Sequence, residues 1–425
     1  MVGLCILCKQ LFSSRECFFV MSHQVKTNKV IIRIAIFMAV VGLAAMDLYL
    51  PSLPAIAHTM GASTLLAQST LSAFLLSFAS SQFFSGVFSD RYGRKPVLLL
   101  GISVFCLGGM LTLFARNIDM LILARYIQGA GIGAAVSLAR IVMRDRFSGA
   151  DLAKAFTYMG CTVSFTPAVA PFVGGLLESH FGYMSNFAVI LGSGLVLLML
   201  VICYLPETHH TVLPDAVRFT RIKQNMATLF AHDVFISSII YAALSFSIVV
   251  AYSTVNPFLF QVVLAFSPTQ YGFITLFIAT GMVFSFFLNT YFVSILGALQ
   301  LIKSGLLLLL LSGVALLIPA VLGWLNCYVV AVPVFFATLA IGFIMPNAGA
   351  RAFHPFPQMI GFVGAVYGFI QVSISALVGL LVSLMPADNQ FGMAYIFIML
   401  ALVGLSVMRR EQRLSQDAVA AVSAG

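Results

Sequence analysis

Charged residues are scarce in this chain. Only 8% of its 425 residues are Asp, Glu, Lys or Arg, whereas 61% are hydrophobic. In a soluble domain about a quarter of the residues are charged, so a soluble globular protein is excluded. Apolar runs of the length needed to cross a bilayer predict transmembrane helices instead. The chain is therefore predicted to be an all-α, polytopic membrane protein.

Motifs for catalysis and metal binding are also lacking. We find no His cluster with metal-ligand spacing and no Gly-x-x-x-x-Gly-Lys-Ser/Thr phosphate loop, so we expect no enzyme activity, no cofactor and no metal. The chain has seven cysteines, and only Cys5 and Cys8 have a Cys-x-x-Cys spacing. Because no partner motif follows that pair, we interpret the cysteines as incidental.

The apolar runs form two sets of six. The spans of the first set are predicted near residues 31–57, 66–88, 97–115, 118–140, 154–177 and 184–205. Those of the second set are predicted near 232–259, 269–293, 300–322, 326–349, 358–384 and 391–408. This spacing predicts a cytoplasmic segment at 1–28, a six-helix bundle at 29–205, a polar linker at 206–230, a second bundle at 231–408 and a tail at 409–425.

The basic residues indicate the orientation. All Lys and Arg residues except Arg116 and Arg125 fall on the side of the membrane that carries the predicted termini and linker. Cytoplasmic loops carry such an excess, so both termini are predicted to be cytoplasmic. The net charge of +9 therefore reflects topology, and we expect no nucleic-acid partner.

The first residues raise a question about the start of translation. Met21 lies about ten residues before the first span, a usual distance for a start, and no signal-peptide cleavage site is present. We hypothesise that residues 1–20 are not translated. A short interfacial or disordered tail is the alternative.

One acid and one base remain inside the predicted spans. Asp47 lies about ten residues before the outer end of the first span, and Arg125 about seven residues from the outer end of the fourth, hence about 15 Å and 10 Å deep. An ionisable side chain in hydrocarbon costs about 2.5 to 3.5 kcal/mol on insertion scales, so each is a functional candidate. If protons drive this protein, Asp47 is the predicted proton carrier, and Arg125, with Gln128 one turn on, is predicted to tune this proton coupling. A buried ion pair that only fixes helix packing is the alternative.

Three further motifs lie at helix ends or inside spans. The stretch from Gly86 to Pro96 combines glycine with a charge cluster at the membrane edge. In the fourth span, Gly129 and Gly133 allow another helix to approach closely. The fifth span carries two prolines, which bend a helix, and a Gly pair. Its predicted helix-bend residues are Pro167, Pro171, Gly174 and Gly175.

The motif from Gly86 to Pro96 resembles the loop between spans two and three of the major facilitator superfamily. The resemblance implies a cytoplasmic gate latch near Gly361 to Gly364, formed by Gly86, Asp90, Arg91, Gly93, Arg94 and Asp145. Positive-inside anchoring is the alternative, and it explains Arg91 better than Asp90. The loop after the eighth span holds only Lys303, where relatives often repeat a basic motif.

The stretch from Met46 to Pro54 resembles the first-span signature of the bicyclomycin and chloramphenicol resistance (Bcr/CflA) drug:proton antiporters. Asn256-Pro257-Phe258 and Met345-Pro346-Asn347 are also similar to that family. The resemblance implies the major facilitator fold, with a central site that opens alternately to each side. Predicted substrate contacts are Tyr49, Tyr126, Gln128, Asn256, Gln261, Asn347, Tyr367 and Gln371.

The resemblance implies a monomeric antiporter of the bacterial inner membrane that exports amphipathic small molecules or drugs in exchange for protons. An exporter of one endogenous metabolite, such as a siderophore, and a metabolite importer or facilitator are alternatives on the same fold. The lipid bilayer, the small-molecule substrate and protons are then the only expected partners.

Overall fold

The computed structural model describes residues 14–208, 219–357 and 359–424, and over these residues the chain is helical with no strand. Twelve helices are long and apolar enough to cross a membrane, which confirms the predicted fold class. We number them spans 1 to 12, with the bounds Lys29–Thr59, Thr64–Tyr92, Arg94–Leu113, Ile118–Arg146, Lys154–Phe181, Tyr183–Tyr204, Asp233–Val263, Pro268–Leu296, Ala298–Val321, Cys327–Phe353, Ile360–Ser383 and Phe391–Arg413.

The helices extend beyond the membrane-crossing segments at three places. The helix that contains the main part of span 1 begins at Ser14, that of span 5 begins at Gly149, and that of span 12 continues to Ala424. A further helix, Phe219–Phe230, precedes span 7 within the polar stretch interpreted as the linker. Residues 1–13 and 209–218 lie outside the described residues. The hypothesis that residues 1–20 are not translated therefore falls mostly on residues that the structure does not describe.

The two sets of six spans pack mainly within themselves and meet along two helix pairs. Spans 2 and 3 pack against span 4 in the first half, and spans 8 and 9 pack against span 10 in the second. Between the halves, span 2 packs along span 11 and span 5 along span 8. We call the end of the bundle where span 2 ends at Tyr92 the linker end, and the opposite end, where span 1 ends at Thr59, the distal end.

Span 1 is broken near its middle. Its long helix ends at Asp47, a 3₁₀ turn covers Leu50–Ser52, and a short helix, Leu53–Thr59, completes the span. Pro51 and Pro54 lie at the starts of the two short elements. Because proline has no backbone N–H, it cannot continue the hydrogen bonding of the preceding helix and is tolerated in the first turn of a new one. The break places Asp47 at a helix end inside the protein.

Span 7 changes its helical form at its distal end. Its α-helix, Asp233–Phe258, contains Pro257 near the end and passes into a π-helical segment, Leu259–Val263. Single π-helical turns occur frequently at functional sites. Gln261 in the π-helical segment donates to the carbonyl oxygen of Pro51 in the 3₁₀ turn, so the two halves meet where neither helix is regular.

Glycines in span 5 allow two close backbone approaches. A Cβ added at Gly174 would collide with the carbonyl oxygen of Leu48 in the break of span 1. A Cβ at Gly175 would collide with the carbonyl oxygen of Pro268, which begins span 8 in the other half. Pro167 and Pro171 lie in the same helix, which is continuous through both.

Candidate functional site: a buried polar centre and a charge cluster at the linker end

The Arg125 guanidinium lies in the interior of the first half and is completely buried. Its Nη1 donates to Oε1 of Gln128 at 2.5 Å, and its Nη2 donates to the carbonyl oxygen of Ala45 at 3.0 Å. The group also lies over two aromatic rings, 4.1 Å from the centroid of Tyr49 and 4.3 Å from that of Phe74. Cation–π contacts of this kind stabilise a charge that water does not reach.

Asp47 is 3% exposed and lies two residues after Ala45. Among the described residues, its carboxyl makes no hydrogen bond and no ion pair within 4 Å, including none with Arg125. The fold thus brings Arg125 close to Asp47 in the sequence of span 1. The Arg125 guanidinium binds the backbone carbonyl of Ala45 and not the Asp47 carboxyl. This arrangement differs from the ion pair that was considered as an alternative.

Asp47 lies near tyrosines of both halves, Tyr49 in span 1 and two in the second half. It is close enough to Tyr252 of span 7 and Tyr271 of span 8 for direct electrostatic interaction with both phenols. Tyr252 is 4% exposed and Tyr271 is 1% exposed. The sequence reasoning missed both tyrosines, although Tyr252 lies one helical turn before Asn256, which was predicted as a substrate contact.

Several of the predicted cavity residues surround this region. The hydroxyl groups of Tyr49 and Thr70 are 3.2 Å apart, and Gln261 donates from Nε2 to the carbonyl oxygen of Pro51 at 2.9 Å. Asn256 is 1% exposed. The buried atoms that have no hydrogen-bond partner among the described residues include three of this region: Nε of Arg125, Nε2 of Gln128 and Oδ1 of Asn256. Unpaired buried polar atoms are costly, so this centre can offer hydrogen bonds to a polar ligand.

Other predicted contacts lie apart from the centre. Asn347 donates to Oδ1 of Asn289 at 2.5 Å, and Gln371 donates to the carbonyl oxygen of Ala242 at 3.4 Å, both inside the second half. Tyr367 lies towards the linker end, where its ring centroid is 5.5 Å from that of Phe353. Tyr126 is 48% exposed, because consecutive residues of a helix point about 100° apart and its neighbour Arg125 points inward.

A second group of charges lies at the linker end of the first half. Arg94 donates from Nη1 to Asp90 at 2.6 Å and from Nε to Asp145 at 3.1 Å, so the structure brings these three predicted latch residues together. Arg94 also donates to Oγ of Ser89 at 2.6 Å. Arg91 is exposed, and its guanidinium lies over the ring of Tyr92, 5.2 Å from the centroid.

Glu207, which the sequence reasoning did not single out, completes this group. Its carboxylate accepts hydrogen bonds from the backbone N–H groups of Arg94 and Lys95 at 2.9 and 3.0 Å. These are the free N–H groups at the start of span 3, where an acid is favourable. The preceding Gly93 has φ of 93°, a conformation that suits glycine. Where span 2 packs along span 11 of the other half, Gly86 lies against Ala365.

The second half has a different charged contact at the same end. Arg351 of span 10 forms an ion pair with Glu411 of span 12, and the hydroxyl of Tyr241 in span 7 donates to Glu411 at 3.3 Å. Lys303 is exposed. The charged contacts described at this end therefore differ between the two halves. This agrees with the loop after span 8, which has few basic residues.

A model of the Major Facilitator Superfamily matches residues 35–380. The chain belongs to the Major Facilitator Superfamily. It is 30% identical over 379 residues to a bicyclomycin resistance protein homolog of Haemophilus influenzae, covering 88% of this chain and 94% of that protein. It is 27% identical to multidrug resistance protein D of Escherichia coli, covering 88% and 92% of the two chains. These relatives agree with the Bcr/CflA branch of the superfamily.

Solved structures with the same fold are also transporters. The xylose transporter XylE from E. coli, in a partially occluded inward-open conformation, matches with a TM-score of 0.71 at 14% identity over 91% of this chain and 98% of that one. A peptide transporter, POT, in complex with sulfate matches with a TM-score of 0.72 at 14% identity, covering 92% and 95%. With its twelve apolar helices, the chain is a multi-pass transporter of the inner membrane.

Proposed function

We propose that the protein is a proton-coupled antiporter that exports amphipathic small molecules from the cytoplasm by alternating access. The names of the relatives, a bicyclomycin resistance homolog and multidrug resistance proteins, support drugs as substrates. The excess of Lys and Arg at the linker end supports a cytoplasmic position for that end and for both termini. We expect the two six-helix bundles, 29–205 and 231–408, to move against each other as a monomer, joined by the linker 206–230.

The observation that carries the proposal is the position of Asp47. Its carboxyl lies at a helix break, inside the protein, facing tyrosines of the other half, and no described residue donates a hydrogen bond to it. The protonation of such a group depends on whether water or protein surrounds it. When the halves move apart, water reaches Asp47, so the motion that carries the substrate also loads or releases a proton.

Arg125 would hold the site in shape. Its hydrogen bond to the Ala45 carbonyl fixes the backbone two residues before Asp47. Its contact with the Tyr49 ring fixes the side chain two residues after Asp47. A positive charge at this distance makes the carboxyl sensitive to small movements of span 1. Gln128, Asn256 and Gln261 would contact the substrate through their amide groups, as would Tyr49 through its ring.

The cluster of Asp90, Arg94 and Asp145 would act as a gate latch at the linker end. It joins the ends of spans 2 and 4 to the start of span 3, next to the start of span 11, where Gly361 lies against the Arg144 guanidinium. Breaking these ion pairs would free spans 2 and 4 to shift relative to span 11. Because Pro167 and Pro171 lack a backbone N–H, span 5 would bend near them and allow the matching movement against span 8.

Transport in vesicles tests the proposal. Purified protein is reconstituted into vesicles, a pH gradient is imposed, and accumulation of radiolabelled bicyclomycin is measured for the wild type, Asp47→Asn and Asp388→Asn. Asp47→Asn keeps the size and polarity of the side chain but cannot release a proton, so gradient-driven accumulation is expected to be lost. Asp388 is an exposed acid in the loop before span 12, and its variant should transport like the wild type.

Two results would contradict the antiport mechanism. The first is wild-type accumulation that persists after the gradient is collapsed with an ionophore. The second is full gradient-driven activity in Asp47→Asn. If the wild type moves protons on addition of a cell metabolite but not of bicyclomycin, the coupling stands and the substrate is an endogenous product.

A further inference from the structure

A cavity of about 390 Å³ lies between the two halves at the linker end. The first half contributes one wall from spans 4 and 5, and the second half contributes the other from spans 10 and 11. The lining is mostly apolar, with Ile141, Leu152, Phe156, Phe353 and Ile360. The cavity is separate from the buried centre around Asp47, and none of the predicted substrate contacts lines it.

Two arginines are the only charged side chains that the described residues contribute to the lining. Arg140 and Arg144 lie one helical turn apart on span 4, and both are accessible from the cavity. Among the described residues, neither guanidinium makes a hydrogen bond or an ion pair. The neighbouring acid, Asp145, points away from the cavity and is bound by Arg94 at 3.1 Å. The cavity therefore presents two positive charges, and no described residue supplies a counter-ion to them.

Topology alone does not account for these arginines. The sequence reasoning ended span 4 at residue 140 and placed Arg140 at the membrane edge, but the helix continues to Arg146. Arg140 is six residues before that end, about 9 Å into the helix at 1.5 Å per residue. There it faces Tyr367 of span 11 closely enough for electrostatic interaction. The helix thus places Arg140 beside the cavity between the halves and not in a loop.

We propose that this cavity binds amphipathic anions, with a carboxylate, sulfonate or phosphate group on Arg140 and Arg144 and an apolar body between Phe156 and Phe353. Guanidinium groups donate several hydrogen bonds in a plane and suit such oxyanions. The inference deepens the proposed export function, because it names the class of substrate that enters from the linker end. Lipophilic cations are disfavoured at this entrance by the same two charges.

Equilibrium binding to the full-length protein in nanodiscs tests the inference without any gradient. The probes are naphthylacetate, naphthylacetamide and naphthylmethylammonium, which share an apolar ring system and differ in charge. Binding is measured by isothermal titration calorimetry. We expect naphthylacetate to bind about tenfold more tightly than the other two, because hydrogen bonds between charged groups are the strong ones. Similar affinities for all three probes would overturn the inference.

Variants locate the binding in this cavity. Arg140→Gln/Arg144→Gln should lower the affinity for naphthylacetate about tenfold and change that for naphthylacetamide less than about twofold. Arg140→Lys should lose less affinity for naphthylacetate than the double variant, because it keeps the charge but not the planar donors. Lys303→Gln removes an exposed base at the same end and should have no effect. Unchanged naphthylacetate binding in the double variant, with naphthylacetamide binding intact, would also overturn the inference.

The outcome is distinguishable from a failure of the antiport mechanism. Asp47→Asn should bind naphthylacetate like the wild type, since Asp47 does not line the cavity. If naphthylacetate binds through the two arginines but no substrate accumulates on a pH gradient, the anion site stands and proton coupling fails. If a gradient drives bicyclomycin export while the charge of the probe has no effect on binding, the antiport mechanism stands and the anion site fails. If the double variant does not fold, the affinities of the three probes for the wild type and for Arg140→Lys decide.

Discussion

The two ends of the interface between the halves are held in different ways. At the distal end, neutral groups of one half bind the other half directly: Gln68 donates to the Thr254 carbonyl and Gln261 to the Pro51 carbonyl, both at 2.9 Å. At the linker end, Arg94 is bound by acids of its own half, while Arg140 and Arg144 face a cavity. The structure is therefore closed at the distal end and open between spans 4, 5, 10 and 11 at the linker end.

This difference suggests how a transporter can close its two ends in turn. Neutral hydrogen bonds between transmembrane helices are worth only about 0.6 kcal/mol each, so they can hold one end closed and still be broken in each cycle. A partly buried ion pair is much harder to break. Because the ion pairs of Arg94 lie within one half, they act on the linker end through the positions of spans 2 and 4 and not by binding the other half.

The largest effect is expected for the ion pairs inside the first half. Arg94→Gln removes the partner of both Asp90 and Asp145 and should lower the free energy of unfolding by about 2 to 3 kcal/mol, less than at a fully buried pair because the Asp90 side chain is 40% exposed. Thermal unfolding in nanodiscs measures the change.

Arg91→Gln is the matched control, because it removes a base from the same loop that makes no ion pair among the described residues. We expect this variant to change stability by less than about 0.5 kcal/mol. If both variants destabilise the protein equally, the loop serves only as a positive anchor at the membrane edge, and the hypothesis of a gate latch is wrong.

The next effect concerns the backbone contact that closes the distal end. A methyl group at Gly175 would collide with the carbonyl oxygen of Pro268 in the other half, whereas one at Gly192 in span 6 would meet nothing within 4 Å. Overpacking of this kind costs about 1 to 3 kcal/mol, so Gly175→Ala should reduce the population closed at the distal end about tenfold relative to the open one.

Distances between spin labels at positions 59 and 388, on a background without native cysteines, report this population. Both positions are exposed at the distal end, one in each half. Gly192→Ala should give the wild-type distance distribution. An unchanged distribution in Gly175→Ala would mean that spans 5 and 8 are not in contact when the protein is in a membrane.

The sequence alone was sufficient for the spans and for the candidates in the buried centre. Hydropathy reports which residues are in hydrocarbon, so all twelve helices and the isolation of Asp47 and Arg125 could be predicted. Hydropathy does not report which way a side chain points. That is why the binding of Arg125 to the Ala45 carbonyl, the approach of Tyr252 and Tyr271 to Asp47, and the exposure of Tyr126 required the packed structure.

The end of span 4 shows a second limit of the sequence reasoning. A polar stretch beginning at Arg140 was interpreted as the edge of the membrane, but the helix continues for six more residues beside a cavity. A polar residue that faces a cavity lowers hydropathy in the same way as one in a loop. The helical spacing of Ser137, Arg140 and Arg144 was the available signal, because residues three and four apart share one helix face.

The smallest effect is expected for the two glutamine contacts at the distal end. Gln68→Ala/Gln261→Ala removes two of the hydrogen bonds between the halves, and at about 0.6 kcal/mol each the closed population should fall about sevenfold relative to the open one. The same pair of spin labels at positions 59 and 388 measures the shift, and each single variant should produce about a threefold change if the two contacts are independent. Gln300→Ala, an exposed glutamine at the linker end, is the control and should leave the distribution unchanged. A shift of much more than tenfold in the double variant would mean that the two hydrogen bonds cooperate. The distal end would then be held closed more firmly than two independent hydrogen bonds allow.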